Sequence, residues 1–381
     1  MTYKKYSFRL RVCSILLIPI LLGFIQQQDE DLAALRRLYQ QSSDKWPKAS
    51  IDSGIKFQEL GPLPQAPLQT NDPSSRALIN LGKMLFFDPR LSGSMQISCS
   101  SCHDPDMHWT DGRIRAIGHN HRQGARNTPS VAFSWANKRL FWDGRAGSLE
   151  EQTKGSLSNP REMNTDLATL PQKMHKIDAY KTYFMAAFAT DSPDLDQLVH
   201  AIATFERSIK TSRTAFDKFM LGDSLALTDK QIHGLHLFRT KARCINCHSG
   251  PLFTDQEFHN IGFTLYGEQK EDLGLYNYSK RNGDVGKFKT PSLRNVTRTG
   301  PWLHNGMFQD LRGLINTYNN GMPHPKRKEH QKDDPLFPET SVHLKPLQLS
   351  VAERDAILAF LESISSLPYP VNRPIIPGLD E

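Results

Sequence analysis

Two short stretches of the sequence share one form: Cys-Ser-Ser-Cys-His at residues 99–103 and Cys-Ile-Asn-Cys-His at residues 244–248. A Cys-x-x-Cys-His segment is the attachment sequence for c-type haem, in which two thiols form thioethers with the porphyrin and the histidine becomes an axial iron ligand. We therefore predict two covalently bound haem c groups, held by Cys99, Cys102, His103, Cys244, Cys247 and His248.

The same four cysteines allow other interpretations. In an exported protein, four cysteines often form two disulfides, and four thiols can also bind zinc or act as redox dithiols. Paired zinc knuckles are usually separated by about 15–20 residues, whereas Cys102 and Cys244 lie 142 positions apart. The haem interpretation is favoured because a histidine follows each cysteine pair directly.

The surroundings of the two motifs repeat as well. Gly-Lys-Met-Leu-Phe at residues 82–86 precedes the first motif, and Gly-Leu-His-Leu-Phe at residues 234–238 precedes the second. Trp-Thr-Asp at 109–111 and Phe-Thr-Asp at 253–255 follow the two histidines. A repeat of this kind indicates two copies of one helical haem-binding unit.

Helical signals elsewhere agree with this interpretation. Capping boxes at Thr228 with Gln231 and at Ser350 with Glu353 predict helix starts. Three- and four-residue steps predict a helix with one face in the core, and its apolar positions are Leu195, Leu198, Ile202, Phe205 and Ile209. The predicted fold class is mainly α, with two cytochrome c-like haem domains.

Composition and the N-terminus limit the class of protein further. A chain of 381 residues that is 38% apolar and 23% charged is not fibrous, collagen-like or intrinsically disordered. Four basic residues precede the apolar run 12–25, and the remaining net charge of about +3 does not indicate nucleic-acid binding. That basic and apolar start is typical of an export signal, and an uncleaved anchor remains open because no A-x-A cleavage site is visible.

The organisation that we predict has four parts, in a protein exported to the periplasm. They are a signal peptide or anchor at 1–25, a lead-in and linker at 26–75, an N-terminal haem domain at 76–224 and a C-terminal haem domain at 225–381.

Several longer segments resemble the bacterial di-haem cytochrome c peroxidases and their relative, the methylamine-utilisation enzyme MauG. The segments keep the family's order along residues 75–366, and they are LFFDPRLS, CSSCH, ARNTPS, FWDGRAGSLEEQ, NPREM, CINCHSGPLFTD, FKTPSLRN and GPWLHNG. The resemblance implies a cytochrome-c peroxidase-type oxidoreductase. Its N-terminal haem would react with peroxide, and its C-terminal haem would relay electrons.

The resemblance also implies roles for residues around the N-terminal haem. His103 would be the permanent ligand, and His119 matches a histidine that fills the opposite face in a resting state and leaves on activation. Glu162 matches the active-site glutamate, with Gln152 beside it. Such a carboxylate can move a proton between the peroxide oxygens so that water departs. An ordinary solvent-facing histidine at 119, its neighbour His121 as the true match, and a surface charge at Glu162 are the competing interpretations.

Further matches concern the region between the haems. Trp142 matches a tryptophan that relays electrons, although a lone tryptophan is more often core packing. Asn127, Thr299 and Pro301 match residues that supply oxygen atoms to a calcium ion, whose shell backbone carbonyls and water would complete. The calcium prediction depends almost entirely on the resemblance.

One position departs from the peroxidases. They generally place a methionine opposite the C-terminal histidine, where this chain has Tyr318, as in MauG. A phenolate favours oxidised iron, whereas a thioether favours reduced iron. Met322 and Met307 are rival ligands, and a buried core tyrosine is the alternative without a functional role.

Together these features predict the reduction of hydrogen peroxide to water. Electrons would come from a small redox protein, such as a monohaem cytochrome c or a cupredoxin, enter at the C-terminal haem and pass to the N-terminal haem. One alternative is MauG-like oxidation of a partner protein through high-valent haem iron, which Tyr318 favours and His119 disfavours. Another is a non-catalytic di-haem electron carrier. A homodimer is also left open by the resemblance.

Overall fold

The computed structural model describes residues 31–68 and 72–379. The signal or anchor predicted for residues 1–25 lies outside the described residues. Within them, the strands found are β1 (Phe258–His259) and β2 (Phe288–Lys289), which pair antiparallel with Phe258 opposite Lys289. The prediction of a mainly α protein is therefore confirmed. No helix in the described ranges is long and apolar enough to span a membrane.

Helices connected by turns and loops form the rest of the regular structure. They are α1 (residues 31–39), α2 (Pro73–Phe87), α3 (Leu149–Ser158), α4 (Leu170–His175), α5 (Lys181–Phe188), α6 (Leu195–Ser208), α7 (Ala215–Met220), α8 (Asp229–Arg239), α9 (Tyr276–Ser279), α10 (Leu311–Asn319) and α11 (Val351–Ser363). The capping boxes predicted at Thr228 and Ser350 are present at the starts of α8 and α11. Each Cys-x-x-Cys-His segment begins with a short 3-10 turn, Cys99–Ser101 or Cys244–Asn246.

Two helix pairs make equivalent close crossings. In the first pair, α2 packs on α6, and a Cβ atom added to Gly82 would lie 1.9 Å from the Ala201 carbonyl oxygen. In the second pair, α8 packs on α11, and a Cβ atom added to Gly234 would lie 1.9 Å from the Ala356 carbonyl oxygen. The repeated glycine in the sequence therefore has a packing reason, because any larger residue would force the helices apart.

Two main hydrophobic cores surround these helix pairs, and described segments near each end of the chain pack into the core of the other half. Tyr39, Trp46 and Leu60 pack into the core around α8 and α11, whereas Ile376 packs into the core around α2 and α6. Much of the predicted lead-in is thus part of the C-terminal core, because its large apolar side chains bury there. Phe216 also belongs to that core, although the predicted boundary follows residue 224. The domain boundaries stay predictions.

The helix crossing at Gly234 gives a test of this packing. We expect Gly234→Ala to lower the free energy of unfolding by about 1–3 kcal/mol, because the added methyl group overpacks the contact with α11. Thermal unfolding should show a lower midpoint. Gly283→Ala is the control, since a Cβ atom there meets nothing within 4 Å. Equal midpoints for the two variants would contradict the close-crossing account.

Candidate active site

A single cavity of about 990 Å³ reaches both Cys-x-x-Cys-His segments. All six motif residues line it: Cys99, Cys102, His103, Cys244, Cys247 and His248. The four cysteines form no disulfide. In the described part of the chain, the only close group of three possible metal ligands is Cys247 with Asp255 and His259. The cysteines therefore do not gather into the four-thiol zinc site that was the alternative.

Equivalent hydrogen bonds orient the two motif histidines. Nδ1 of His103 donates to the carbonyl oxygen of Trp109 at 3.0 Å, and Nδ1 of His248 donates to that of Phe253 at 2.9 Å. Both carbonyl-bearing residues have a left-handed backbone, with φ of 64° at Trp109 and 54° at Phe253. Burial lowers the pKa of both imidazoles. Each histidine is thus held neutral with Nε2 left for a metal, as an axial iron ligand requires.

Glu162 and Gln152 line the same cavity as the first motif. Asn159 Nδ2 donates to Glu162 Oε1 at 2.7 Å, and Gln152 Nε2 donates to Ser156 Oγ at 2.9 Å. Burial raises the pKa of the Glu162 carboxyl, against the opposing effects of hydrogen bonds from Ser156 and Asn159 and the charge of Arg145. This carboxyl therefore keeps its proton to a higher pH than an exposed glutamate, which suits a group that accepts and returns protons.

His119 lies against the Glu162 backbone and is not among the residues that line the cavity. Its backbone N–H donates to the Glu162 carbonyl oxygen at 2.7 Å. Its Nδ1 atom is buried and has no hydrogen-bond partner. His121, the competing candidate, is exposed. The half-buried His119 is therefore the one of the two histidines that adjoins the Glu162 site.

Trp142 lines the cavity that both motifs share. Its indole Nε1 donates to the Asn127 carbonyl oxygen at 2.9 Å, and its ring centroid lies 6.5 Å from that of His304. Asn127, Thr299 and Pro301 also line the cavity. Asn127 Nδ2 donates to the Arg113 carbonyl oxygen at 2.9 Å. With its Nδ2 occupied in this way, Asn127 keeps its carboxamide oxygen as a possible ligand for a hard cation.

Tyr318 on α10 lines the cavity near the second motif. Burial raises the pKa of its phenol, with the Cys247 and Cys244 sulfurs as neighbours. Of the two rival methionines, Met322 is buried in the C-terminal core and Met307 is 46% exposed, and neither lines the cavity. Tyr318 is therefore the only one of these three side chains that faces the space beside His248.

Among the polar residues that line the cavity, Glu206, Lys289 and His304 were given no role by sequence reasoning, although the last two lie in the segments FKTPSLRN and GPWLHNG. Glu206 is buried on α6, where Ser134 Oγ donates to it at 3.3 Å and burial raises its pKa to about 7. Glu206 follows Ile202 by four residues and so lies on the apolar face of the predicted helix. An acidic residue at such a position is a signal of a functional site that the sequence offered. His304 stacks on Phe288 with ring centroids 3.6 Å apart, a contact between distant segments that no local pattern indicates.

Comparison with known proteins decides the family. The family model for di-haem cytochrome c peroxidases matches residues 76–225. Cytochrome-c peroxidase IdrP1 from Pseudomonas sp. (strain SCT) is 32% identical over 360 residues, which cover 87% of this chain and 92% of the relative. The chain belongs to the di-haem cytochrome c peroxidase family. MauG from Methylophilus methylotrophus is 34% identical over 340 residues, covering 86% of this chain and 93% of MauG.

A solved structure supports the fold of this family member. The crystal structure of a MauG-like protein associated with microbial copper homeostasis has a TM-score of 0.69 and 27% identity, covering 83% of this chain and 96% of that one. The family makes this protein a peroxidase-type oxidoreductase with two haems as cofactors. The paired thiols, the neutral histidines and the shared cavity fit these groups.

The carboxyl of Glu162 gives a prediction for this site. We expect Asn159→Ala to raise the pKa of Glu162 by about one unit, because a hydrogen bond that stabilises the carboxylate is lost. The protonated form would then persist to higher pH. Infrared titration of the carboxylic acid band, identified by its disappearance in Glu162→Gln, measures this directly. Asn282→Ala, at an exposed asparagine, should leave the pH midpoint of this titration unchanged. The same midpoint in Asn159→Ala as in the unmodified protein would refute the account.

Proposed function

We propose that the protein reduces hydrogen peroxide to water with electrons from a small redox protein, such as a monohaem cytochrome c or a cupredoxin. Each peroxide takes up two electrons and two protons to give two molecules of water. The observation that carries the proposal is Glu162, a half-buried carboxyl with a raised pKa in the cavity beside the first motif. Relatives named as cytochrome-c peroxidases support the same reaction.

The proposal includes two haem c groups bound through the four motif cysteines, in a protein that acts in the periplasm. Support comes from the motif itself and from the position of all four sulfur-bearing residues on one cavity. When bound, the haems supply the iron at which peroxide reacts and the electrons that reduce it. A calcium ion held by Asn127, Thr299 and Pro301 belongs to the same proposal, with the Asn127 carboxamide as its side-chain ligand.

In this proposal, Glu162 moves a proton from the inner to the outer oxygen of peroxide, so that water is the leaving group. The carboxylate accepts the first proton and returns it to the departing oxygen. Asn159 holds the carboxyl at 2.7 Å, and Gln152 is held at 2.9 Å from the neighbouring Ser156. These contacts support roles for Asn159 and Gln152 in positioning.

Electrons would enter at the C-terminal haem and reach the N-terminal haem through the region of Trp142. Two contacts support Trp142 as the relay, because they fix it to both halves of the molecule. Its indole N–H donates to Asn127 in the first half, and its carbonyl oxygen accepts from the Lys289 N–H in the second half, both at 2.9 Å. The first contact holds the indole ring and the second holds the backbone of the same residue, so the side chain needs little rearrangement during electron transfer.

His119 is proposed to act as the gate of the first haem, a role that requires its side chain, which does not line the cavity in this structure, to move into it. Its unpartnered Nδ1 supports this role, because the side chain loses no hydrogen bond at that atom when it moves. The backbone of the same residue is bonded to Glu162. Movement of the loop at residues 118–121 would thus be coupled to the acid–base group.

A second candidate function is MauG-like oxidation of a partner protein, and Tyr318 favours it. A phenolate opposite His248 would favour the oxidised states of the second haem. A non-catalytic electron carrier is disfavoured, because a carrier needs no half-buried acid with a raised pKa such as Glu162 beside a haem.

Stopped-flow measurement of peroxide consumption tests the proposed reaction. We expect Glu162→Gln to slow it by about 100-fold or more, since an amide cannot transfer the proton, while the protein keeps two haems. Glu329→Gln, at an exposed glutamate, is the matched control and should react like the unmodified protein. Unchanged turnover in Glu162→Gln would refute its role, and no reaction with peroxide in any redox state would favour the carrier.

The gate is tested by comparing fully oxidised protein with protein reduced by one electron. We expect the unmodified protein to react quickly with hydrogen peroxide only after one-electron reduction. We expect His119→Ala to react quickly with hydrogen peroxide in the fully oxidised state as well. His121→Ala serves as the control because its side chain is exposed. A His119→Ala variant that still needs prior reduction would exclude this residue as the gate.

A further inference from the structure

The cationic side chains on the cavity wall differ in how their charge is balanced. Arg126 contacts Asp143 at 2.6 Å and Asp272 at 2.7 Å, and the buried Arg294 contacts Asp217 at 3.0 Å. These guanidinium groups are neutralised by the protein itself. They support the wall and leave no charge for a ligand.

Lys289 differs from these two arginines. It lines the cavity, and no carboxylate in the described ranges 31–68 and 72–379 forms an ion pair with it. The hydrogen bond found for its Nζ atom is a long one, 3.5 Å to Asn137 Oδ1. The nearby Asp255 already pairs with His259 at 2.7 Å. The ammonium group therefore faces the cavity with a neutral amide as its nearest partner.

The position of Lys289 is rigid. It lies on β2 opposite Phe258, and its backbone N–H donates to the Trp142 carbonyl oxygen at 2.9 Å. The side chain thus extends from the second half of the molecule towards Asn137 in the first. It lies where the two haem-binding halves meet.

An ammonium group in this position is unfavourable unless an anion faces it. Burial lowers the pKa of Lys289 to about 8, as expected for an ammonium group that is removed from water without a carboxylate partner. The anionic groups of the family's cofactor are the haem propionates. They lie at the porphyrin edge away from the vinyl groups that react with cysteine.

We propose that Lys289 binds a haem propionate at the junction of the two halves, with Asn137 positioning its ammonium group. This inference rests on the proposed haem binding and deepens it. Lys289 then has two effects on the haem whose propionate it binds. It holds the propionate edge of the porphyrin in place, and it raises the reduction potential of that haem. A nearby positive charge favours the electron-rich reduced state.

Redox titration of the intact di-haem protein, followed by its absorption spectrum, tests the inference without peroxide turnover. We expect Lys289→Met to shift the reduction equilibrium of one haem about tenfold towards the oxidised form, a fall of about 59 mV. The haem whose potential falls identifies the propionate involved. Lys289→Arg, which keeps the charge, should restore most of the potential.

Resonance Raman spectra separate a direct contact from a distant charge effect. The propionate bending band should move in Lys289→Met and stay near its original position in Lys289→Arg. Lys287→Met is the matched control, because Lys287 pairs with Asp284 at 3.2 Å and does not line the cavity. It should leave both potentials and the band unchanged.

Two results would overturn the inference. One is a Lys289→Met protein with two haems and unchanged potentials, and the other is a changed potential with an unmoved propionate band. Both would leave the proposed peroxidase function intact. A protein without haem would instead defeat the proposed function and this inference together.

Discussion

The hydrogen bond from Nδ1 of each motif histidine to a backbone carbonyl is the constraint on which the site depends. It fixes the ring, keeps the imidazole neutral and leaves Nε2 for the metal. The carbonyls belong to Trp109 and Phe253, whose left-handed backbones are uncommon for bulky residues. The loops after both motifs hold that conformation, so the rest of each unit is built around the placement of one imidazole.

The glycine crossings serve the same arrangement. Gly82 and Gly234 bring α2 onto α6 and α8 onto α11 at equivalent distances. The helices that carry these glycines, α2 and α8, each precede a cysteine motif in the sequence. Between the two units, Trp142, Lys289 and Asn127 connect through backbone and indole hydrogen bonds. The two halves therefore share one cavity.

Local patterns predicted much of this molecule. The helical class, the capping boxes at Thr228 and Ser350 and the two-fold repeat all follow from short-range rules, since periodicity and capping act within a few residues. The Trp-Thr-Asp and Phe-Thr-Asp repeats marked the carbonyls that bind the histidines, although the hydrogen bonds themselves could not be seen in the sequence.

What the sequence did not indicate depends on contacts between distant segments. Tyr39 and Trp46 pack into the core around α8 and α11. Contacts between distant segments cause this packing, and no local sequence pattern indicates it. Lys289 and His304 meet the Trp142 region only when residues separated by more than 100 positions come together. The resemblance supplied Glu162 and Tyr318, and the structure adds their burial and their partners.

The central claim is that two haem groups are covalently attached through the four cysteines of this chain. Intact-mass measurement of the purified protein, with a pyridine haemochrome assay on the same sample, tests it most directly. The account predicts a mass increase of two haems that survives denaturation and acid–acetone extraction, and two haem equivalents per chain. An unmodified mass, or fewer than two equivalents, would contradict it.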